Sequence, residues 1–563
     1  MAIATRLLRG GAVLGLLLTA LIIPFHSARA AWPSGDLPVC TATGSQTHLT
    51  IIPDERGGVL IGWEDATYGA LYAQRIDAGG NALWTNNGVM LPEGTSSGNP
   101  ERFLVADGSG GLIFAWEIGG DIYAAHIDST ATADWNVDPV WGFAQRVPVC
   151  TASAPQLYVQ IATDGAGGII ATWEDHRNSS YPDIYAQRVD ASGNPLWTTD
   201  GVPVCLDGAG QYEPVIAPDG AGGAYIAWED HRDSSNSIYL QRIDASGNAQ
   251  WTVDGIVASD SLSLQNLWPG IVADGTGGAI LAWTLRNPDD STELRRVLGD
   301  GSFAWTQTIT SGSGVTSGAA EMIPTGDGGV ILVSQDDRNW ATQGLDVYAF
   351  RFDALGNPVW VPGVEVSAEV GGQLRPTGAL DAGGVLHLAW IDQRNGSYQI
   401  YTQRVDAAGN VLDTVGGVPL SLNPRNALDE PAMTSIAGGA VLAYTDQRNG
   451  NDDVFATLFA GVATGVGPVA APGAVLSANW PNPFRSSTRL FFTLAEERQV
   501  ELAVYDVAGR RVKTLFLDRS TPGPHFVDWD GTGRGGKPVA SGVYFVQLRT
   551  EAGVRTRTIT LMR

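Results

Sequence analysis

The sequence predicts an all-β protein, an eight-bladed β-propeller followed by a small β-sandwich. Three observations carry this reading. Trp63, Trp116, Trp173, Trp228, Trp283 and Trp390 recur along the chain, with Ser334 and Tyr444 in the same slot, at spacings of 51 to 57 residues. Each recurring unit reads as four short strands, and a four-stranded unit at such a period is the mark of a propeller blade. The ends of the array complement one another. The last copy stops near Phe455–Phe459 without its edge strand, and Asp36-Leu-Pro-Val-Cys40 is that edge strand with no blade before it. Both termini then complete one blade, which removes the exposed sheet edges of an open array. The fifth and sixth copies depart most from the pattern, so seven blades with one degenerate copy is the alternative.

The third copy shows how the unit works. Gln156 to Ala162 is a strand opened by Pro155, and Asp164-Gly-Ala-Gly-Gly168 is a turn in which glycine supplies angles other residues avoid. Ile169 to Trp173 is an apolar run too short for a helix and rich in β-formers. Ile184 to Asp190 alternates, Asp190-Ala-Ser-Gly-Asn194 turns, and Val202-Pro-Val-Cys205 is an edge strand where proline is tolerated. The repeated Trp reads as core, since an aromatic of that size buries about 150–250 Å².

In chain order, residues 1–30 read as a secretory signal peptide. Arg6 and Arg9 precede an apolar core, Ala12 to Ile23, and Ala28-Arg-Ala30 is a cleavage motif. No later stretch is long and apolar enough to span a membrane once the signal is removed. The propeller occupies residues 31–459, a Gly/Ala/Pro linker residues 460–475, and the sandwich residues 476–563. The formal net charge is −25, and it is unevenly held: residues 31–474 carry 18 Arg against 51 Asp plus Glu, residues 475–563 carry 13 Arg plus Lys against 8 acids. Such a propeller would repel phosphate backbones, which excludes nucleic acid as a partner. Cys40, Cys150 and Cys205 share one slot on different blades, too far apart to pair, and read as small buried residues.

Trp-Glu-Asp-His-Arg at 173–177 and 228–232 has the composition of a site. Yet its Asp recurs at 65, 175, 230, 336, 392 and 446, and its Arg at 177, 232, 338, 394 and 448. A single catalytic centre does not need its groups several times around a ring, so the Asp–Arg pair reads first as a loop clamp. The loops after the second strand and between blades share one face, which would gather an acidic rim. The binding candidates there are Glu174, Asp175, His176, Glu229, Asp230 and His231. Trp135 and Trp141 join them from an aromatic insert in the second copy, because aromatic faces beside carboxylates suit sugar stacking and hydroxyl hydrogen bonds. No catalytic residue and no cofactor is assigned. Calcium at the Asp-Gly-x-Gly-Gly turns is the one metal left open, although the turns lack the dense carboxylates of a dedicated calcium loop.

The last domain carries a family resemblance. Asn482-Pro483-Phe484, then Tyr505-Asp506-Val-Ala-Gly509, then Trp529-Asp530-Gly531, then Gly542-Val-Tyr544 and a basic final strand resemble the type A C-terminal sorting domain of type IX secretion cargo and the related FlgD-type Ig-like domain. The resemblance implies an Ig-like sandwich, export by secretion machinery that reads residues 476–563, and a place outside, or on the outer surface of, a bacterium with two membranes. It is silent on the propeller's ligand. The leading expectation is non-catalytic binding of an extracellular glycan or protein. A polysaccharide-active glycoside hydrolase or lyase on the acidic face, and a structural scaffold, are the alternatives.

Overall fold

The computed structural model describes residues 32, 36–67, 69–91, 104–135, 146–178, 181–233, 236–259, 265–286, 291–310, 321–339, 343–361, 363–420, 431–460, 474–476, 484–485, 487–494, 498–507, 509–520, 523–550 and 553–562. The signal-like segment, Trp141 and Asn482-Pro483 lie outside them. Contacts divide the chain into two units, Met1–Ala463 and Thr464–Arg563.

The first unit holds eight four-stranded antiparallel sheets. In blade 3, strands A to D are Gln156–Thr163, Ile169–Asp175, Asp183–Val189 and Val202–Cys205, hydrogen-bonded in that order. The A strands of successive blades touch one another around a complete ring, so A lines the axis and D lies at the rim. Blades 5 and 6, whose sequences are worn, are fully formed sheets. Blade 8 takes its D strand from the other end of the propeller: Leu37–Cys40 pairs with Asp453–Ala460, Leu37 opposite Ala456 and Cys40 opposite Val454. Arg448 then reaches Asp36 at 2.9 Å. The eight-bladed reading with shared closure is the structure.

Chain direction defines two faces. The A–B and C–D turns lie on one, and the B–C loops and D–A links on the other. The repeated tryptophans of strand B are core: Trp63, Trp116, Trp173, Trp228, Trp283 and Trp390 are at most 2% exposed. The three cysteines are buried and unpaired.

A second series of tryptophans fastens blade to blade. Trp84, Trp135, Trp197, Trp251, Trp305 and Trp360 follow the C–D turn, and each indole Nε1–H donates to a C–D-turn carbonyl of the next blade, at 3.0–3.4 Å. In five of the six the indole packs against that turn's glycine, and in blade 2 the slot holds Ala131 (φ 68°). At Gly193 (φ +81°) a Cβ would stand 3.0 Å from Trp135, so glycine is required there for close approach as well as for its angle.

The second unit is a sandwich of a three-stranded and a four-stranded sheet. Among the described residues of the chain there is no α-helix, only a short 3₁₀ turn at Arg534–Gly536, and no helix long and apolar enough to cross a membrane.

Deleting Leu37–Cys40 leaves the strand Asp453–Ala460 as an open edge. The expected result is a thermal midpoint lowered by several degrees and higher-order species on size-exclusion chromatography. An unchanged midpoint and a monomeric profile would show that the closing strand is dispensable.

Candidate functional site

The acidic residues of the Trp-Glu-Asp-His-Arg motif part company in three dimensions. Strand alternation turns Asp175 towards the preceding blade, whose Cys150 Sγ lies 4.0 Å from it, and Glu174 towards the following one. Asp175 is fully buried. Its Oδ2 accepts Trp173 Nε1–H at 2.8 Å and Arg177 Nη2–H at 2.6 Å, and its Oδ1 accepts Arg177 N–H and Nε–H. Arg177 also donates to the Asp200 carbonyl at 2.7 Å and lies 4.1 Å above the Tyr185 ring. Asp230, Trp228, Arg232 and Tyr239 repeat this arrangement. Asp175 and Asp230 are therefore buried clamp residues, each beside a cysteine of the preceding blade, and not groups of the rim. His176 is half-buried and His231 exposed, its ring 4.6 Å from that of Tyr212. Trp135 is 2% exposed and belongs to the inter-blade tryptophan series. It is a regular repeat position, and reading it as part of an insert places it wrongly on the surface. Trp141 lies outside the described residues.

On the opposite face the Asp-Gly-x-Gly-Gly turns hold no ligand carboxylate in reserve. Asp164 Oδ1 accepts the N–H groups of Ala166 and Gly168, and its Oδ2 takes Nε–H and Nη2–H of Arg188. Arg188 Nη1–H reaches the Ala245 carbonyl of the next blade. Asp54–Arg75, Asp219–Arg242 and Asp274–Arg296 form the same pair, and in blade 2 a histidine takes the arginine's slot, His126 Nε2 lying 2.9 Å from Asp107. Among the described residues no three His, Cys, Asp or Glu are arranged to hold a metal ion.

A different feature stands out at the mouth of the axis, where the A strands begin. His48, Tyr158, Glu213, Trp268 and Arg375 have positive φ, between 49° and 55°. All five occupy one slot, inside the irregularity that breaks A–B register in blades 1, 3, 4, 5 and 7. The corresponding segments of the other blades lie outside the described residues. For residues of this kind the left-handed region costs on the order of 1–3 kcal/mol each, so five such positions cost about as much as a domain's whole net stability. Something must hold them. In four blades it is a carboxylate or carboxamide from the preceding blade: Glu117 Oε1 accepts Val159 N–H (3.0 Å), Glu174 Oε1 accepts Glu213 N–H (2.8 Å), Glu229 Oε1 accepts Trp268 N–H (2.6 Å) and Gln335 Oε1 accepts Arg375 N–H (3.0 Å).

The side chains so presented differ from blade to blade. Tyr158 is 58% exposed and Trp268 44%, Arg286 lying 5.6 Å over the Trp268 ring. Tyr181 is exposed in the blade 3 B–C loop, and Tyr212 stands beside Glu213. The flanking residues, by contrast, keep one character. A buried Gln or Asn lies two before (Gln46, Gln156, Gln211, Asn266, Gln373), and a buried Leu, Val or Pro follows (Leu49, Val159, Pro214, Pro269, Pro376). That Gln-x-x-Leu/Val/Pro pattern is visible in the sequence and marks the slot. The larger repeated Trp and Asp draw attention away from it.

Glu174 and Glu229 are 3% and 6% exposed. Burial pushes both carboxyls up to about 7. The backbone N–H each accepts opposes that rise, and the neighbouring carboxylates, Glu213 among them, add to it. Burial likewise raises Glu117. Both glutamates of the candidate rim are thus sealed supports for an exposed backbone feature.

In the sandwich the motif residues sort into core and turns. Phe484 is tilted against Trp529 and Tyr544 meets Trp529 edge to face, with centroids 5.4 and 5.3 Å apart. Trp529 Nε1–H donates to the Thr532 carbonyl and Tyr544 OH to the Ala540 carbonyl. Phe484 exchanges backbone hydrogen bonds with Thr560 and Met562, pinning the last strand. Asp506 caps the turn through Gly509 (φ 75°) by accepting Arg510 N–H, and Tyr505 lies under Arg511. Asp530, beside Gly531 (φ 65°), is held low, at about 2, by Thr532 and Lys513. Gly542 opens the strand that carries Tyr544.

Residues 485–553 match the family model of the FlgD Ig-like domain. No curated protein sequence matches the chain. Among solved structures, a polysaccharide lyase, Uly1, is 9% identical over 68% of this chain and 93% of its own, with a TM-score of 0.43. The BP39L lectin from Burkholderia pseudomallei is 9% identical over 67% and 100%, also at 0.43. PorZ of Porphyromonas gingivalis, a surface component of that bacterium's type IX secretion system, is 13% identical over 92% and 82%, at 0.19. Likenesses at these scores carry no argument about what this chain binds or does.

A carboxyl whose folded pKa lies above its unfolded value takes up its proton on folding, so stability falls as pH rises from about 4.5 to about 7 and is level above that. For Glu174 and Glu229 the effect is on the order of 3 kcal/mol each. Gln335 shows that an amide fills the slot. Glu174→Gln with Glu229→Gln is therefore expected to raise the thermal midpoint at pH 8 by about 5 °C and to leave it unchanged near pH 4.5. Calorimetric scans across this range check it, and equal shifts at both pH values would refute the assignment.

Proposed function

We propose that the protein is an extracellular, non-catalytic glycan-binding propeller whose ligand lies across the mouth of the axis, on the sector of blades 3 to 5. The observation that carries this reading is the strained slot. Its backbone is the same in five blades and its side chain is different in each. The supports grip backbone and leave the displayed residue free to vary, and a binding surface on a rigid scaffold draws on that freedom. Tyr158, Trp268, Tyr181 and Tyr212 offer flat amphipathic faces that bury apolar ring faces at low entropic cost. Glu213, His176 and His231 offer hydrogen-bonding groups beside them. Glu174 and Glu229, the carboxyls raised towards neutrality, are enclosed and engaged with backbone, which disfavours a general-acid role and with it the hydrolase or lyase alternative.

For delivery, the proposal is export by an N-terminal signal followed by recognition of residues 476–563 as a type IX sorting domain. The FlgD-like match and the ordered motifs around it support this. The test is a reporter carrying residues 476–563 behind the signal, expressed in a bacterium that has the system. Surface display or release that is lost with Phe484→Ala in an intact fold supports sorting, and retention in the periplasm counts against it.

The binding reading is tested on a glycan array with the purified protein and its Tyr158→Gly and Trp268→Gly variants. Glycine relieves the left-handed strain, so each variant should be as stable as the parent or about 1 kcal/mol more so. Each should lose tenfold or more in glycan capture. Capture unaffected by both changes, or released oligosaccharide products, would overturn the reading. Silence on glycans with retention of a protein from the same surroundings would move it to a protein ligand.

A further inference from the structure

The other end of the axis is open too, on the face opposite the surface just proposed. A cavity of about 870 Å³ opens among the A–B turns of blades 6, 7, 8 and 1. That is the scale of a small-molecule site. Its walls include Glu55, Met322, Thr325, Arg351, Asp381 and Ser435.

The cavity lies where the repeat's turn clamp fails. Blades 1 to 5 each close this turn with a buried ion pair, Asp54–Arg75, Asp107–His126, Asp164–Arg188, Asp219–Arg242 and Asp274–Arg296. Blade 7 keeps its aspartate but gives it to His387, while Arg404 turns to Asp413. Blade 8 has Leu458 in the arginine's slot. Blade 6 keeps the arginine, Arg351, and replaces the aspartate by Thr325.

Arg351 stands as its counterparts do. Its Nη1–H donates to the Ala407 carbonyl of the next blade at 3.2 Å, just as Arg188 donates to Ala245 and Arg242 to Gly299. In those blades Nε–H and Nη2–H bind one carboxylate oxygen at 2.8–3.1 Å. In blade 6 Thr325 Oγ1–H turns to Asp327, which takes over the turn by accepting Gly329 N–H. Arg351 makes no ion pair among the described residues; Asp327, whose carboxyl is held below its usual range by Thr325 and in smaller part by Arg351, is hydrogen-bonded to Thr325 and Gly329 instead. The other acids of the wall are engaged. Glu321 accepts Gly378 N–H, and Asp381 accepts Gly383 N–H, Val385 N–H and the His387 ring. Glu55 is exposed.

We infer that this cavity binds a small carboxylic acid, whose carboxylate meets the Arg351 fork in the place that the repeat's own aspartate holds in sister blades. An arginine fork prefers a planar carboxylate over a neutral hydroxylated body of equal size. The acid's body then rests on Met322 and Ile323, with Thr434 and Ser435 as hydroxyl partners along the wall.

The test is calorimetric titration and thermal shift of the purified protein with D-glucuronate, glutarate and D-glucose. Saturable binding of the two acids, with glucose silent, is expected. Arg351→Gln should weaken acid binding at least tenfold. Thr325→Asp rebuilds the missing half of the clamp, so it should raise the thermal midpoint and abolish acid binding together. Silence of both acids, equal binding of glucose and glucuronate, or acid binding that survives Thr325→Asp in a protein made more stable would each overturn the inference.

Discussion

Adjacent blades press apolar faces together, Ile113 and Val149 of one against Val159 and Trp173 of the next, and side chains that reach across the gap to backbone atoms fix how those faces meet. Trp197 and Arg188 both end on the Ala245 carbonyl, and Glu174 ends on the Glu213 N–H. A bond to main chain survives whatever side chain the neighbour carries. This frees each blade to change its displayed residues without unfastening the ring, and it is why worn copies such as blades 5 and 6 still form regular sheets. Apolar burial between the faces of adjacent blades supplies the bulk of the stability, while these cross-blade bonds set the geometry in which exposed residues can diverge.

The period of the tryptophans, the glycine turns and the complementary ends made the architecture legible before any coordinates. Those signals are local or strictly periodic, and a four-stranded unit with this period has few ways to close. The roles of Asp175 and Trp135 were less accessible. For Asp175 recurrence argued for a clamp, and the structure supplies the missing fact, which is that strand alternation turns Glu174 and Asp175 to opposite sides of the sheet. Trp135 stood beside a variable stretch, so its equivalence to Trp84 and Trp197 was hidden by the change in spacing that follows it.

The strained slot escaped notice for a physical reason. Nothing in the composition of Gln-Leu-Tyr-Val or Gln-Tyr-Glu-Pro announces a left-handed residue, since glycine and asparagine, the usual markers, are absent. The backbone is forced there by a partner from another blade, and that partner is distant in sequence: Glu229 and Trp268 are 39 residues apart. Tertiary hydrogen bonding overrides local preference, and pattern reading within one repeat does not contain that information.

The shared eighth blade also has a temporal consequence. The contact between Asp36 and Arg448 joins residues 412 positions apart. The first strand to be synthesised therefore finds its partner last. Until the final blade is formed, Leu37–Cys40 is an apolar strand without a sheet and the ring is an open arc. Closure over so long a separation is slow and carries a large loop entropy, so the chain passes through a stage with two free edges that only its own ends fit. Rigidity of the ring therefore arrives at one moment, with this late pairing, rather than blade by blade as the chain emerges.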